Sequence, residues 1–157
     1  MNIIYFFIVF PLIFFSWIFG MLLYALIRNT EFHKRQLSNL NFVKSEYLNR
    51  MFGLGLFKWV VKNTAFKLFN PKLNLKLQRR VQVRDLHYLR AEMLSAEISH
   101  LIAFMLLCIA AIVVSVIYSF LFGCLIMVFN IFMNLYPALL QQQNKRRIAR
   151  YIGSVST

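Results

Sequence analysis

Acidic residues are scarce: Asp and Glu together number 5 in a chain of 157 residues that carries 18 Lys and Arg. Cysteine is rarer still, with 2. Cys108 and Cys124 lie in apolar surroundings with no C-x-x-C spacing and no His/Cys cluster, which argues against a disulfide framework or a zinc site and leaves them as packing residues. The helix-borne metal motif H-E-x-x-H is missing as well, because Ala96 stands before Glu97. One carboxylate and one imidazole are too few ligands for a metal centre, so neither a metal nor another cofactor is expected. The first 27 residues contain no Lys or Arg. A secretory signal would need a basic start, a shorter apolar run and a small-residue cleavage site, and none of these is present.

What is abundant is apolar and aromatic, at 60% and 17% of the chain, with a mean hydropathy of +0.62 and a net charge of +13. Greasiness with segregated charge is the pattern of a membrane protein, since hydrocarbon excludes ionised groups and the interfaces collect them. Crossing ~30 Å of hydrocarbon takes roughly 20 helical residues. Three stretches qualify: Ile3 to Ile27, with Pro11 and Gly20 tolerated as they often are in lipid, Met93 to Tyr118, and Phe120 to Leu140. The last two are separated only by a stretch as apolar as its neighbours, "SVIYSFLFGC", and one helix through both would far exceed the bilayer. A tight hairpin turning near residue 119 is therefore expected.

The expected fold is an all-α integral membrane protein with about three transmembrane helices, plus an amphipathic interfacial or re-entrant helix in a basic connector. It forms a single membrane domain over 1–157: first span 1–28, connector 29–92, second span 93–118, third span 119–142 and basic tail 143–157. Lys and Arg gather in the connector and the tail, which by the positive-inside rule places both in the cytoplasm and the N-terminus outside, in a multi-pass protein of the cell membrane. Within the connector, "MFGLGLFKWVVKNTAFKLF" at 51–69 sets Lys58, Trp59, Lys62 and Lys67 among apolar residues at helical spacing. That predicts a helix in the headgroup layer, or a shallow re-entrant pair broken near Asn63 and Thr64. After Pro71, "KLNLKLQRRVQV" alternates like a strand. The basic residues suit anionic lipid; nucleic acid is a poor partner for segments flanked by spans. His33 reads as solvated, and His87, two residues after Asp85, as decoration of the connector.

Glu97 and His100 stand three apart near the start of the second span and so share a helix face, with Ala96 and Ala103 giving a neighbour room. Asn130, Asn134, Pro137, Gln141 and Asn144 draw one stripe along the third. In an antiparallel hairpin His100 should lie level with Tyr136–Ala138 and Glu97 with Leu139–Gln141, so carboxylate, imidazole and amides would converge near the cytoplasmic face. Polar residues in spans also act as interhelical glue, worth about 0.6 kcal/mol each. A buried carboxylate costs several kcal/mol unless paired, which makes function the default hypothesis for Glu97 and His100.

The segments "FKWVVKNTAFKLFN", "AEISH" and "NLYPALLQQQNKRRI" resemble the glycosyl-4,4'-diaponeurosporenoate acyltransferases, small membrane proteins that complete a staphyloxanthin-type carotenoid. The likeness runs from about residue 40 onward. The family pattern of Glu-x-x-His, then N-x-x-P, then Q-R-Y-N-R-x-R falls on Glu97 and His100, on Asn134 and Pro137, and on Gln141, Asn144, Lys145 and Arg147, with Lys145 replacing an Arg. Gln142 and Gln143 depart from the Arg and Tyr usual there.

The resemblance implies transfer of a fatty acyl group from a thioester or phospholipid donor to a hydroxyl, or an amine, of a lipid-like or glycolipid acceptor. His100 would be the base and Glu97 its orienter, or the reverse. Asn130, Asn134 and Gln141 would face the oxyanion or acceptor, and Asn144, Lys145 and Arg147 a phosphate or glycosyl headgroup. Two alternatives stay open. One is a non-catalytic membrane subunit, in a homo-oligomer or with a membrane partner, whose polar stripe sets helix packing. The other is a small lipid methyltransferase, for which no convincing glycine-rich adenosyl pocket is present.

Overall fold

The computed structural model describes residues 3–38, 40–43, 47, 51, 53–64 and 83–155. Lys67 and the alternating segment after Pro71 lie outside them. Among the described residues the chain is helical and contains no strand. The helices are α1 (Ile3–Ile27), α2 (Leu54–Asn63), α3 (Val83–Ile117), α4 (Phe120–Asn130) and α5 (Tyr136–Val155). Two π-helical turns, His33–Leu37 and Ile131–Leu135, interrupt the α pattern, and the second joins α4 to α5. Three helical stretches are long and apolar enough to cross a membrane: Phe7–Ile27, Val83–Ile117 and Phe120–Ser154. The protein is a multi-pass membrane protein.

The chain divides into two compact units. The first comprises Met1–Leu40 and Leu94–Ala138. Here α1 is apolar on every side, so its outward residues, Phe7, Phe15, Leu22 and Leu26 among them, meet lipid rather than water. The inward side packs Val9 and Ile13 against Leu107 and Ala111 of α3 and Phe122 and Ile126 of α4. Tyr5 stacks on Phe122 with ring centroids 4.3 Å apart. The hairpin turn consists of Tyr118 and Ser119, at the expected place. Ser119 is extended (φ −164°, ψ 127°), and its carbonyl accepts the Gly123 N–H at 3.1 Å, which starts α4.

Apolar side chains gain little by leaving lipid for one another, so close contact has to come from small residues. A Cβ on Gly20 would collide with the Ser99 carbonyl oxygen and lie 3.5 Å from the Ala103 Cβ. One on Gly123 would strike Ser115, with the Ala111 carbonyl at 2.6 Å. Backbone therefore meets backbone where α1 crosses α3 and where α3 faces α4.

The second unit comprises Asn41–Met93 and Leu139–Thr157. Its helix α2 is preceded by Gly53, whose φ of 66° is a left-handed conformation that favours glycine. Leu54 and Val61 are buried while Leu56 and Trp59 are exposed, so the helix has one covered and one open side. The Val43 N–H donates to Gln142 Oε1 at 3.0 Å, and Arg146, one turn further along α5, donates to the Val43 carbonyl. Helix α3 starts ten residues before the expected Met93, because "VRDLHYLRAE" continues the helix and Asp85 sits in its first turn, where a negative charge is favoured. At 1.5 Å per residue its 35 residues span about 52 Å, so it overruns the hydrocarbon.

A Gly20→Ala substitution should destabilise the protein by about 1–3 kcal/mol, the usual range for overpacking. Gly153→Ala, in α5 with nothing within 4 Å of the added Cβ, should be neutral or slightly stabilising. Thermal melting of the two variants in detergent compares them, and equal midpoints would refute the close crossing of α1 on α3.

Candidate functional site

The first unit brings four polar side chains together inside its helix packing. Asn130 and Asn134 are both 0% exposed, on the α4 side of the hairpin, and His100 on α3 is largely covered. The fourth is Trp17 of α1, a residue whose sequence context shows nothing but an apolar span.

Their hydrogen bonds form a continuous chain. Trp17 Nε1 donates to Asn134 Oδ1 at 2.8 Å. His100 Nδ1 lies 3.4 Å from the same oxygen. Asn134 Nδ2 donates to Asn130 Oδ1 at 2.9 Å. Asn130 Nδ2 in turn reaches the Phe104 carbonyl at 3.0 Å and Cys108 Sγ at 3.6 Å. The indole also meets the imidazole edge-on, with ring centroids 6.0 Å apart and planes at 88°. In hydrocarbon each unmatched polar group costs several kcal/mol, so a chain that closes on a backbone carbonyl is the stable way to hold such residues.

Local structure explains the placement. Asn134 sits in the π-helical turn Ile131–Leu135, where backbone bonds run from i to i+5 and the turn widens. Such turns occur often at functional positions. His100 meets Asn134, two to four residues before the expected Tyr136–Ala138 level and within about one helical turn of it. Glu97, on the same face of α3 as His100, is 0% exposed, and Ser99 is also buried.

Beside this chain lies an apolar cleft of about 560 Å³, lined by Phe10, Pro11, Ile13, Phe14, Phe15, Trp17 and Met133. Trp17 thus has its N–H in the polar chain and its ring in the cleft wall. A second apolar cleft of about 340 Å³ is lined by Ile98, Leu101, Ile102 and Met105 of α3 together with residues of the segment 27–40. At 100° per residue these α3 positions centre about 120° round the helix from the Glu97–His100 side, with Leu101 bordering Glu97.

The remaining sequence-predicted residues belong to the second unit. Along α5, Gln141 and Asn144 are half-buried, Lys145 is 2% exposed and Arg147 is exposed. Gln142, one of the two departures from the family pattern, is 1% exposed and is held at the Val43 N–H. On α2, Lys58 is half-buried, and Trp59 and Lys62 are exposed. Burial, with the Arg147 and Lys62 cations nearby, lowers the Lys58 ammonium below the ordinary lysine value. A cluster of cations of this kind favours anions.

Two features escape a reading of the sequence. The π turn leaves no mark on hydrophobic periodicity. Trp17 is hidden because its indole counts as apolar, although a buried Trp N–H needs an acceptor, and that need is the one signal that pointed to it.

Comparison with curated proteins and with solved structures gives no match. Residues 28–154 do match a protein family, described as glycosyl-4,4'-diaponeurosporenoate acyltransferase. The matched region takes in α2 to α5 almost completely and begins just after α1. This chain therefore belongs to the glycosyl-4,4'-diaponeurosporenoate acyltransferase family and is a membrane acyltransferase.

Proposed function

We propose that the protein transfers a fatty acyl group to a hydroxyl of a glycosylated, lipid-like acceptor of the carotenoid type named by its family, with His100 as general base and Glu97 as its orienter. The observation that carries this reading is the meeting of His100 with a closed amide chain inside a membrane span, one helical turn from a wholly buried carboxylate. Ionisable groups at such depth are costly and are retained for work.

In the proposed reaction His100 takes the proton of the acceptor hydroxyl as its oxygen attacks the acyl carbonyl carbon. A carbon–oxygen bond forms and the carbonyl π electrons move to oxygen. Collapse of the tetrahedral adduct expels the thiolate or alkoxide of the donor, which receives the proton from His100. Glu97 stabilises the positive charge that His100 carries between the two transfers. The amides of Asn130 and Asn134 hold one another and the edge of His100, so in this reading they support the base rather than bind substrate directly. The acyl chain lies in the cleft walled by Trp17 and Met133, whose lining is apolar throughout.

Gln141, Asn144, Lys145 and Arg147 are the proposed contacts to the headgroup of donor or acceptor. Lys58, Trp59 and Lys62, with Lys67, are assigned to the anionic lipid surface. The connector and C-terminus face the cytoplasm in this proposal, because they collect the positive charge.

His100→Ala should lower acyl transfer at least 100-fold at unchanged protein level, within the range for loss of a general base, and Glu97→Gln should lower it about 10- to 100-fold. Lipid mass spectrometry of cells producing each variant reads the acylated product. Product at wild-type level in both would sink the mechanism, and loss that merely follows loss of folded protein would favour a packing role for the polar stripe. For topology, Cys108 and Cys124 are first replaced by Ala and a single cysteine is introduced as Ser154→Cys. A membrane-impermeant maleimide should label it only after the cells are opened; labelling of intact cells would reverse the orientation.

A further inference from the structure

We infer that Trp17 is a positioning residue for the acyl transfer: its indole N–H fixes the Asn134 amide in the one orientation that keeps His100 protonated at Nδ1 and leaves Nε2 as the basic nitrogen. The inference rests on His100 being the base proposed above.

A neutral imidazole carries its proton on one nitrogen or the other, and the partner of each nitrogen decides which. His100 Nδ1 faces the side-chain amide of Asn134 at 3.4 Å. That contact alone is ambiguous, since an amide offers an acceptor or a donor according to how it is turned. The ambiguity is removed at the two ends of the chain. The indole N–H of Trp17 can only donate, and it lies 2.8 Å from the Asn134 amide. The Phe104 carbonyl can only accept, and it lies 3.0 Å from the Asn130 amide.

Between these ends the two asparagines share a bond of 2.9 Å. Turning Asn134 over would set its NH2 against the indole N–H and its oxygen against the Asn130 oxygen. Turning both would keep the clash at Trp17 and set the Asn130 oxygen against the Phe104 carbonyl. Either change puts two like-on-like contacts in a site shielded from water, each costing as much as an unsatisfied polar group. The arrangement in which Asn134 presents its oxygen is thus the one free of conflict. An oxygen there requires a proton on His100 Nδ1, and the lone pair of the neutral ring is then on Nε2.

Trp17 is the α1 contribution to this lock, and it lies before the family-matched segment of residues 28–154. Its edge-on packing against the imidazole also restrains the ring plane. Removing the N–H while keeping an aromatic ring separates hydrogen-bond direction from packing, which makes Trp17→Phe the informative change.

The test uses purified full-length protein in detergent with 15N-labelled histidine. The His100 signals are identified by their loss in His100→Ala, and spectra are taken above the pH at which the ring titrates. Wild type should show the Nδ1–H tautomer, and Trp17→Phe should show a population of the Nε2–H form. With glycosyl-4,4'-diaponeurosporenoate and a long-chain acyl thioester as the probe pair, Trp17→Phe should lower kcat about tenfold and leave KM for the glycosylated acceptor within about twofold, whereas KM for the acyl donor, whose chain meets the Trp17 ring, is free to change. In an Asn134→Leu background the same change should have no further effect on kcat, because Trp17 acts through Asn134. An Nε2–H tautomer in wild type overturns the inference without needing any variant, and so does an undiminished Trp17→Phe effect in the Asn134→Leu background. Full turnover in His100→Ala overturns the base assignment on which the catalytic consequence depends, and it is read independently of the tautomer.

Discussion

A polar group surrounded by hydrocarbon must find its partner within the protein, and the Asn130–Asn134 pair is where this chain meets that requirement. Apolar contacts alone could not register the helices of the first unit, because a Leu or Phe is nearly as well solvated by lipid tails as by another helix. The amide pair can. Its donors and acceptors have one satisfactory set of partners: the indole of α1, and the carbonyl and imidazole of α3. Small residues then let the backbones approach closely enough for these short side chains to reach. Gly20 against Ser99 and Gly123 against Ser115 are the contacts that allow it.

The π turn belongs to the same solution. Asn130 ends α4 and Asn134 lies four residues on, within Ile131–Leu135, and their side chains bond at 2.9 Å. A widened turn relaxes the backbone where two amides must each serve a different partner on α3. The cost is a poorer local hydrogen-bond pattern. The gain is that Asn134 faces Trp17 and His100 together, so that one oxygen contacts both α1 and α3.

Much of this was legible in the amino-acid sequence, for physical reasons that can be named. Hydrocarbon thickness dictates span length, so the three spans and the hairpin turn at Tyr118–Ser119 follow from apolar runs. Glu97, His100, Asn130 and Asn134 announce themselves because polar groups in such runs are expensive. The start of α3 at Val83 was not legible, since "VRDLHYLRAE" is neither apolar nor capped by an evident signal. Trp17 was hidden by the indole's double character, apolar in area and polar at one atom. Gln142 read as a departure from a motif, whereas its side chain holds the Val43 backbone. For Trp17 and Gln142 the deciding fact is a partner distant in sequence, and no periodicity records a partner.

The bond from Trp17 also changes what α1 is for. The family match begins at Arg28, and by composition α1 could be a plain anchor. An anchor needs only length and greasiness. Instead, Gly20 of α1 lies against the Ser99 carbonyl, one residue before His100, and Trp17 lies against His100 itself and its hydrogen-bond partner. These two contacts are three residues apart on α1 and so fall on one face, which means that the close crossing and the hydrogen bond reinforce each other. A shift of α1 by one residue would turn that face by 100° and break both at once. The first span is therefore held in register by the same residues that surround the imidazole.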